Sequence, residues 1–218
     1  MRFNQRSYSG PSFRPTPIAH YEKNSDLLMV ATAWGEPDAA SLVMNKIKEF
    51  MQMSEDPEST IVGGHHEGLV RIENRMRSGA MLANELLYKS ENNQEYRAAV
   101  ELAMLSISKN MLHWVQVGAP HILLATAKGL EPICYTPDWS WQMQQSVPLL
   151  GQALGLEKTC HLNCGSYRLS PGQKIVLISR SQLPSHLYAQ SATDLESISR
   201  ILVEDNSEAP FWAAVVES

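Results

Sequence analysis

The stretch Met111–Tyr135, MLHWVQVGAPHILLATAKGLEPICY, decides the fold class of this chain. It contains three apolar runs of strand length, separated by the chain breakers Gly118–Pro120 and Lys128–Gly129. The runs are Met111–Val117, His121–Ala127 and Leu130–Tyr135. Such short connections join antiparallel strands, because parallel strands need a crossover of about a dozen or more residues. The stretch therefore predicts an antiparallel meander.

The chain before this stretch combines one strand pattern with two helix patterns. Leu27–Ala33 is a short apolar run and predicts a buried strand. A first helix is expected after Pro37-Asp38, where apolar residues recur at three- and four-residue steps. These residues are Ala40, Val43, Met44, Ile47, Phe50 and Met51. A second helix is expected from Leu69 to about Tyr88, whereas Tyr96–Ser108 fits a strand and a helix equally well.

The chain after the stretch adds two strands, a helix and a last strand. Ser166–Leu169 and Lys174–Ser179 flank a turn with Pro at its first corner and Gly at its second. Thr193 and Glu196 predict a capping box at the start of a helix, and Phe211–Val216 predicts the closing strand. Helices and antiparallel strands are segregated along the chain. This order predicts an α+β fold with sheets covered by helices, not a doubly wound parallel sheet.

Composition limits the classes of function. The chain has 218 residues and a net charge of −5, from 18 basic and 23 acidic side chains. Its length suits one large domain, and its charge argues against a broad nucleic-acid surface. Residues 1–20 carry Arg2, Arg6 and Arg14 without an acid, so we expect a basic arm or edge segment there. A mobile arm is favoured over a docking element, and residues 21–218 are expected to form the single domain.

Location and thiol chemistry follow from the same composition. No apolar run approaches the roughly 18 to 20 residues of a membrane span, and no secretory signal is visible, so a cytoplasmic protein is expected. The three cysteines predict reduced thiols. Cys160, His161 and Cys164 could begin a zinc site, but no second ligand pair accompanies them. An ordinary turn is the favoured interpretation.

Several segments, in chain order, resemble the protein phosphatase 2C (PPM-type) family of metal-dependent Ser/Thr phosphatases. Asn24–Asp26 is similar to that family's opening Asn-Glu-Asp, and Val30–Ser41 is similar to its Asp-Gly-x-Gly-Gly loop and following helix. Further similar segments are Ala83-Asn84, Trp114–Leu124, Lys128–Leu130, Leu154-Gly155, Leu169–Ser179, Asp205-Asn206 and Phe211–Val216. The resemblance covers nearly the whole chain. It implies a four-layer α-β-β-α sandwich of two antiparallel sheets flanked by helices, with Tyr96–Ser108 as a strand.

The resemblance also implies that the metal site is degenerate. The family holds two divalent metals with carboxylates, which Mg²⁺ and Mn²⁺ prefer as ligands. At the matching positions Thr32 and Arg180 stand where aspartates would be, while Asp26 and Asp205 remain. A guanidinium repels a dication at close range. We therefore expect no bound metal, no catalytic residue, and a contact between Arg180 and the carboxylate of Asp205 or Asp26. The alternative places Arg180 in solvent.

The resemblance implies a function without catalysis. We expect a pseudophosphatase that serves as a protein-binding or regulatory module in signalling, with a phosphoprotein among its candidate partners. Nucleic acid and membrane are not expected partners, and a homo-oligomer is an open alternative. The rival hypothesis is an active Ser/Thr phosphatase that needs Mn²⁺ or Mg²⁺. It would use a site rebuilt from Asp26, Asp38 and Asp205.

Overall fold

The computed structural model describes residues 1–54, 64–136, 138–140, 148–189 and 194–217. The chain forms two compact units, each with one five-stranded sheet. The first unit comprises Met1–Pro17, Gly118–Gly151 and Leu169–Ser218, and the second comprises Ile18–Val117 and Gln152–Arg168. The expected boundary between residues 20 and 21 falls inside a strand of the second unit.

The described strands and helices follow in chain order. The strands are β1 (Arg2–Tyr8), β2 (Ile18–Glu22), β3 (Leu27–Gly35), β4 (Ala98–Ser108), β5 (Met111–Val117), β6 (His121–Thr126), β7 (Gly129–Cys134), β8 (Asn163–Arg168), β9 (Ile175–Ser179) and β10 (Phe211–Glu217). The helices are α1 (Ala39–Met53), α2 (Arg71–Glu91), α3 (Ser185–Ala189) and α4 (Leu195–Asp205). No helix in this described part of the chain is both long and apolar enough to cross a membrane.

The second unit packs α1 and α2 against the antiparallel sheet β2-β3-β4-β5-β8. Its core joins the apolar stripe of α1 to β3 and β4. Val43 and Ile47 on α1, Met29 on β3 and Leu102 on β4 belong to one buried cluster. All residues of Leu27–Ala31 are buried, as the continuous apolar run predicts. Asn84, on α2, accepts a 2.8 Å hydrogen bond from Gly155 N through its Oδ1. Its Nδ2 donates to Glu157 O at 3.1 Å and to Lys158 O at 3.2 Å.

The first unit packs α3 and α4 on the antiparallel sheet β1-β10-β9-β6-β7. Val176 and Ile178 on β9, Ala213 on β10 and Ile198 on α4 belong to one buried cluster. The N-cap of α4 is Asp194, whose carboxylate accepts a 2.8 Å hydrogen bond from Ser197 N. Thr193, expected to begin the capping box, lies outside the described residues.

The expected fold class, two antiparallel sheets flanked by helices, is confirmed. Tyr96–Ser108 contains strand β4, as the resemblance implied. The predicted meander is wrong at one connection, because β5 pairs with β4 and β8 whereas β6 pairs with β7 and β9. Gly118, with φ of +68°, lets the chain leave one sheet and enter the other. Local turn signals show where a strand ends but not which sheet the next one joins.

The N-terminal segment is ordered, unlike the mobile arm favoured from the sequence. Arg2–Tyr8 forms β1, which pairs with β10 at the edge of its sheet. Most of its side chains are exposed, so the strand lacks the apolar alternation that would have revealed it. The turn at Ser170–Gln173 is present, with a 3.0 Å bond from Gln173 N to Ser170 O. Its flanking strands β8 and β9, however, belong to different sheets.

Candidate functional site

Arg180 follows β9 in the first unit and binds the C-terminal end of α4. Its Nη1 donates to Leu202 O at 2.8 Å, and its Nη2 donates to Asn206 O and Asp205 Oδ2, both at 3.2 Å. The Leu202 carbonyl also accepts a 3.3 Å hydrogen bond from Asn206 N, so the guanidinium adds a second donor there and acts as a cap at the end of the helix. The side chain of Arg180 is 3% exposed and that of Asp205 is 33% exposed. The expected contact between Arg180 and Asp205 is confirmed.

Burial and the charge of Asp205 shift the pKa of Arg180 in opposite directions. Burial lowers the pKa of its guanidinium, while the neighbouring Asp205 carboxylate raises that pKa. An arginine side chain nevertheless stays protonated in proteins. Arg180 therefore presents a permanent positive charge at the end of α4.

His121 fixes the backbone at Arg180. Its Nε2 donates to Arg180 O at 2.9 Å, and its Nδ1 accepts from Thr136 N at 3.2 Å, which sets the neutral tautomer. Burial lowers the pKa of His121 to about 4, so the ring is uncharged at neutral pH. No motif in the sequence singles out His121, because it begins an apolar strand as core residues often do.

Arg14 ties the N-terminal segment to the residues on both sides of Arg180. Its Nε donates to Ser179 Oγ at 3.2 Å, and its Nη1 lies 3.3 Å from both Ser181 Oγ and Asp138 Oδ2. The side chains of Arg14 and Asp138 are 4% and 5% exposed, so this ion pair is buried. Ser140 N and Ser140 Oγ also donate to the Asp138 carboxylate. Sequence reasoning missed both charged residues of this pair.

Asp26 and Thr32 lie in the second unit. Asp26 has a φ of +46° in the turn before β3, and its carboxylate accepts a hydrogen bond from the hydroxyl of Tyr21. That bond raises the pKa of Tyr21 to about 12. Thr32 is fully buried on β3, and its hydroxyl has no hydrogen-bond partner among the described residues. Opposite Thr32 on β4 lies Glu101, a buried carboxylate that accepts a 3.0 Å bond from Trp34 Nε1.

Comparison with known proteins depends on structure, since no family model and no curated protein matches the chain. One similar structure is that of PppA, a key regulatory component of T6SS in Pseudomonas aeruginosa. The alignment covers 98% of this chain and 96% of PppA, with 14% sequence identity and a TM-score of 0.69. Another is the PPM Ser-Thr phosphatase MsPP from Mycobacterium smegmatis. That alignment covers 100% of this chain and 98% of MsPP, with 13% sequence identity and a TM-score of 0.69. The chain has the fold of the PPM-type phosphatases.

A third structure agrees with this PPM-type fold. The alignment with the Mycobacterium tuberculosis Ser/Thr phosphatase PstP/Ppp covers 98% of this chain and 97% of PstP/Ppp, with 12% sequence identity and a TM-score of 0.65. The PPM-type fold thus extends over nearly the whole chain, as the resemblance in the sequence implied. At this level of identity the shared property is the fold.

The donor set does not fit the two-metal site that the PPM resemblance implies. Asp26 is bound by Tyr21, and Asp205 is bound by Arg180. Thr32 supplies a hydroxyl and Arg180 a cation where hard dications need carboxylate oxygens. Asp38 is exposed at the start of α1. Within the described ranges no three His, Cys, Asp or Glu side chains gather at one point.

Cys160 and Cys164 pack against the core of the second unit. Burial raises the pKa of both thiols to about 11. Zinc binds the thiolate, so a zinc ion at Cys160, His161 and Cys164 would have to displace the protons of both thiols. Cys160 and His161 lie outside the regular elements, but Cys164 lies on β8, so the turn favoured from the sequence is wrong at Cys164.

Proposed function

We propose that this chain is a catalytically inactive PPM-type module that acts by binding a protein partner. The contact between Arg180 and Asp205 carries the proposal. A metal ligated by Asp205 would stand beside a permanent positive charge, and the repulsion between them grows as water is excluded. Arg180 supplies the positive charge that Asp205 would otherwise draw from a metal.

Asp26 and Thr32 support the same proposal from the second unit. The Asp26 carboxylate already accepts a hydrogen bond from the Tyr21 hydroxyl. A metal would have to displace that donor and would find a neutral hydroxyl at Thr32, where the resemblance expects a carboxylate. Each carboxylate that survives at the matching positions therefore has a donor within the chain.

The biological setting extends this proposal. PppA, which shares the fold, is a regulatory component in its own organism. We extend a regulatory role in signalling, and a cytoplasmic location, to this chain on the strength of its degenerate site. Its partner is a protein, not nucleic acid or a membrane, and the net charge of −5 agrees with that choice.

A metal titration tests the proposal against the rival, an active phosphatase rebuilt around Asp26, Asp38 and Asp205. The unfolding temperature and the hydrolysis of an aryl phosphate are followed as Mn²⁺ or Mg²⁺ rises to millimolar concentration. An active PPM phosphatase such as MsPP serves as the parallel control. We expect no metal-dependent stabilisation and no turnover. Stabilisation accompanied by turnover would establish the rival, because a ligand that binds the native state raises its stability.

A further inference from the structure

Strand β1 forms one edge of the sheet in the first unit. Its seven residues, Arg2–Tyr8, pair with β10 in an unbroken register, and no second strand of the described chain pairs with them. On an edge strand, every second residue turns its N–H and C=O groups away from the neighbouring strand. About half of the residues of β1 therefore present backbone donors and acceptors that a further strand can use.

The opposite edge of the same sheet is protected against a further strand. Strand β7 contains Pro132, which has no N–H, and its register with β6 shifts between Ile122 and Leu123. Helix α3 also packs against β7. Because β1 contains neither a proline nor a shift of register, its edge keeps a regular ladder of backbone groups.

The β1 edge is basic, although the whole chain has a net charge of −5. Arg2 and Arg6 are both exposed, and no acidic residue precedes Glu22 in the chain. Side chains alternate between the two faces of a strand, so these two arginines share one face. At about 3.3 Å per residue, their attachment points lie about 13 Å apart. A partner strand would meet both charges on the same side.

Neither arginine of β1 is neutralised within the described part of the chain. Glu217 lies opposite Arg2 on β10, but its carboxylate binds Lys174 at 2.9 Å. Lys174 and, to a smaller extent, Arg2 lower the pKa of the Glu217 carboxyl. Among the described residues, neither Arg2 nor Arg6 forms a hydrogen bond or an ion pair, including with Glu204 on the adjacent helix α4. Both guanidiniums therefore remain available to an external carboxylate.

These charges determine which strand the edge favours. A second copy that paired through β1 would bring four guanidiniums to one edge, and like charges on paired strands are destabilising. A strand with acidic residues four positions apart would instead form an ion pair with each arginine. The backbone can bind any extended segment, so the arginines provide the selectivity.

We propose that β1 accepts an extended segment of a partner protein as an added strand, with Asp or Glu residues of that segment opposite Arg2 and Arg6. The inference rests on the proposed function, because it names the surface through which the inactive module binds its protein partner. A second copy of this chain is the competing occupant.

Three acetylated and amidated peptides test the proposal by NMR on the full chain. The first is Thr-Glu-Val-Thr-Val-Glu-Thr, whose two Glu residues share one face of a strand. The second has Gln in place of both Glu residues. The third, Thr-Glu-Val-Thr-Glu-Val-Thr, has the composition of the first but places its Glu residues on opposite faces. We expect the first peptide to shift the amide resonances of Arg2–Tyr8 and to bind at least threefold more tightly than either control.

Hydrogen exchange distinguishes an added strand from attraction between charges alone. An added strand covers only the amides that point away from β10, which belong to every second residue of Arg2–Tyr8. Saturation with the first peptide should slow the exchange of that alternate set at least threefold. Binding that leaves these exchange rates unchanged, or that shifts β8 instead of β1, would overturn the proposal. So would equal binding of the first and second peptides.

Two matched variants each remove one exposed positive charge. Arg6→Gln should weaken the first peptide at least twofold without changing the urea midpoint or the binding of the Gln peptide. Lys128→Gln, in the turn before β7 at the opposite edge of the sheet, should change none of these. Equal weakening by both variants would show an attraction that is not specific to β1.

Two further outcomes separate the competing explanations. Exchange of the alternate amides that slows as protein concentration rises, without any peptide, would identify a second copy as the occupant and overturn the proposal. Metal-dependent turnover would overturn the proposed function whichever peptide binds. Failure of the peptide series without such turnover would overturn this inference alone.

Discussion

The guanidinium of Arg180 lies 3.2 Å from the carboxylate of Asp205 at the C-terminal end of α4. The same guanidinium binds the carbonyl oxygens of Leu202 and Asn206, so one side chain neutralises a carboxylate and caps a helix. A bound metal could perform the first task but not the second. The two tasks together explain why a cation on the chain can stabilise the fold at this position.

Arg180→Ala should lower the free energy of unfolding by about 2–4 kcal/mol. Breaking a fully buried ion pair costs about 3–5 kcal/mol. The expected cost is lower here because the Asp205 side chain is 33% exposed. Urea denaturation measures the change, with the exposed Arg200→Ala as the control expected within about 0.5 kcal/mol of wild type. A loss under 1 kcal/mol for Arg180→Ala would show that the contact is not structural.

Arg180→Asp alone should not create phosphatase activity, because Thr32 would still offer no carboxylate. Thr32→Asp with Arg180→Asp is the smallest change expected to recover metal binding at the positions that the resemblance assigns. Thr32 is buried opposite Glu101, so its replacement by Asp should destabilise the chain until a dication is added. Mn²⁺ should therefore raise the unfolding temperature of the double variant more than that of either single variant. Hydrolysis by Arg180→Asp alone would contradict the residue assignment.

Tyr21→Phe should make stability less sensitive to pH above 10. The bond to Asp26 raises the pKa of Tyr21 to about 12 in the folded chain, above the ordinary value of 10. Between these values the folded chain holds a proton that the unfolded chain releases, so stability falls as pH rises. Tyr21→Phe removes this contribution, whereas Tyr96→Phe, at an exposed side chain, should not. Urea midpoints measured from pH 9 to 11.5 test the difference. Identical slopes for wild type and Tyr21→Phe would refute the proposed link.

Leu177→Ala should cost about 2–5 kcal/mol, because Leu177 is fully buried on β9. Ile175→Ala, on the same strand, should behave alike. The exposed Glu204→Ala provides the control in the same urea series. Losses near zero for both apolar variants would show that β9 is not a core strand.

The central strands could be predicted because their continuous apolar runs are longer than those found in loops. Leu27–Ala33 and Phe211–Val216 lie within β3 and β10, and the predicted Lys174–Ser179 differs from β9 only by Lys174. The contact of Arg180 with Asp205 followed from the resemblance, since no local pattern links two residues on separate elements. Prediction was strongest where burial leaves a periodic or continuous pattern in the sequence.

The features that the sequence did not predict depend on contacts between residues far apart in the chain. Arg14 lies in a segment without apolar pattern, and its partners Asp138 and Ser179 lie 124 and 165 residues further along. Only tertiary packing can bury such a charge. The change of sheet between β5 and β6 has the same cause, because strand pairing is set by distant partners.

Counting bound Mn²⁺ tests the central claim most directly. The chain, purified without chelator, is dialysed against millimolar Mn²⁺, and free and bound ions are measured by electron paramagnetic resonance, with MsPP in parallel. The Asp205 carboxylate accepts a hydrogen bond from Arg180, and the Asp26 carboxylate accepts one from Tyr21. We therefore predict that this chain binds no stoichiometric Mn²⁺. Two ions bound per chain would contradict the account.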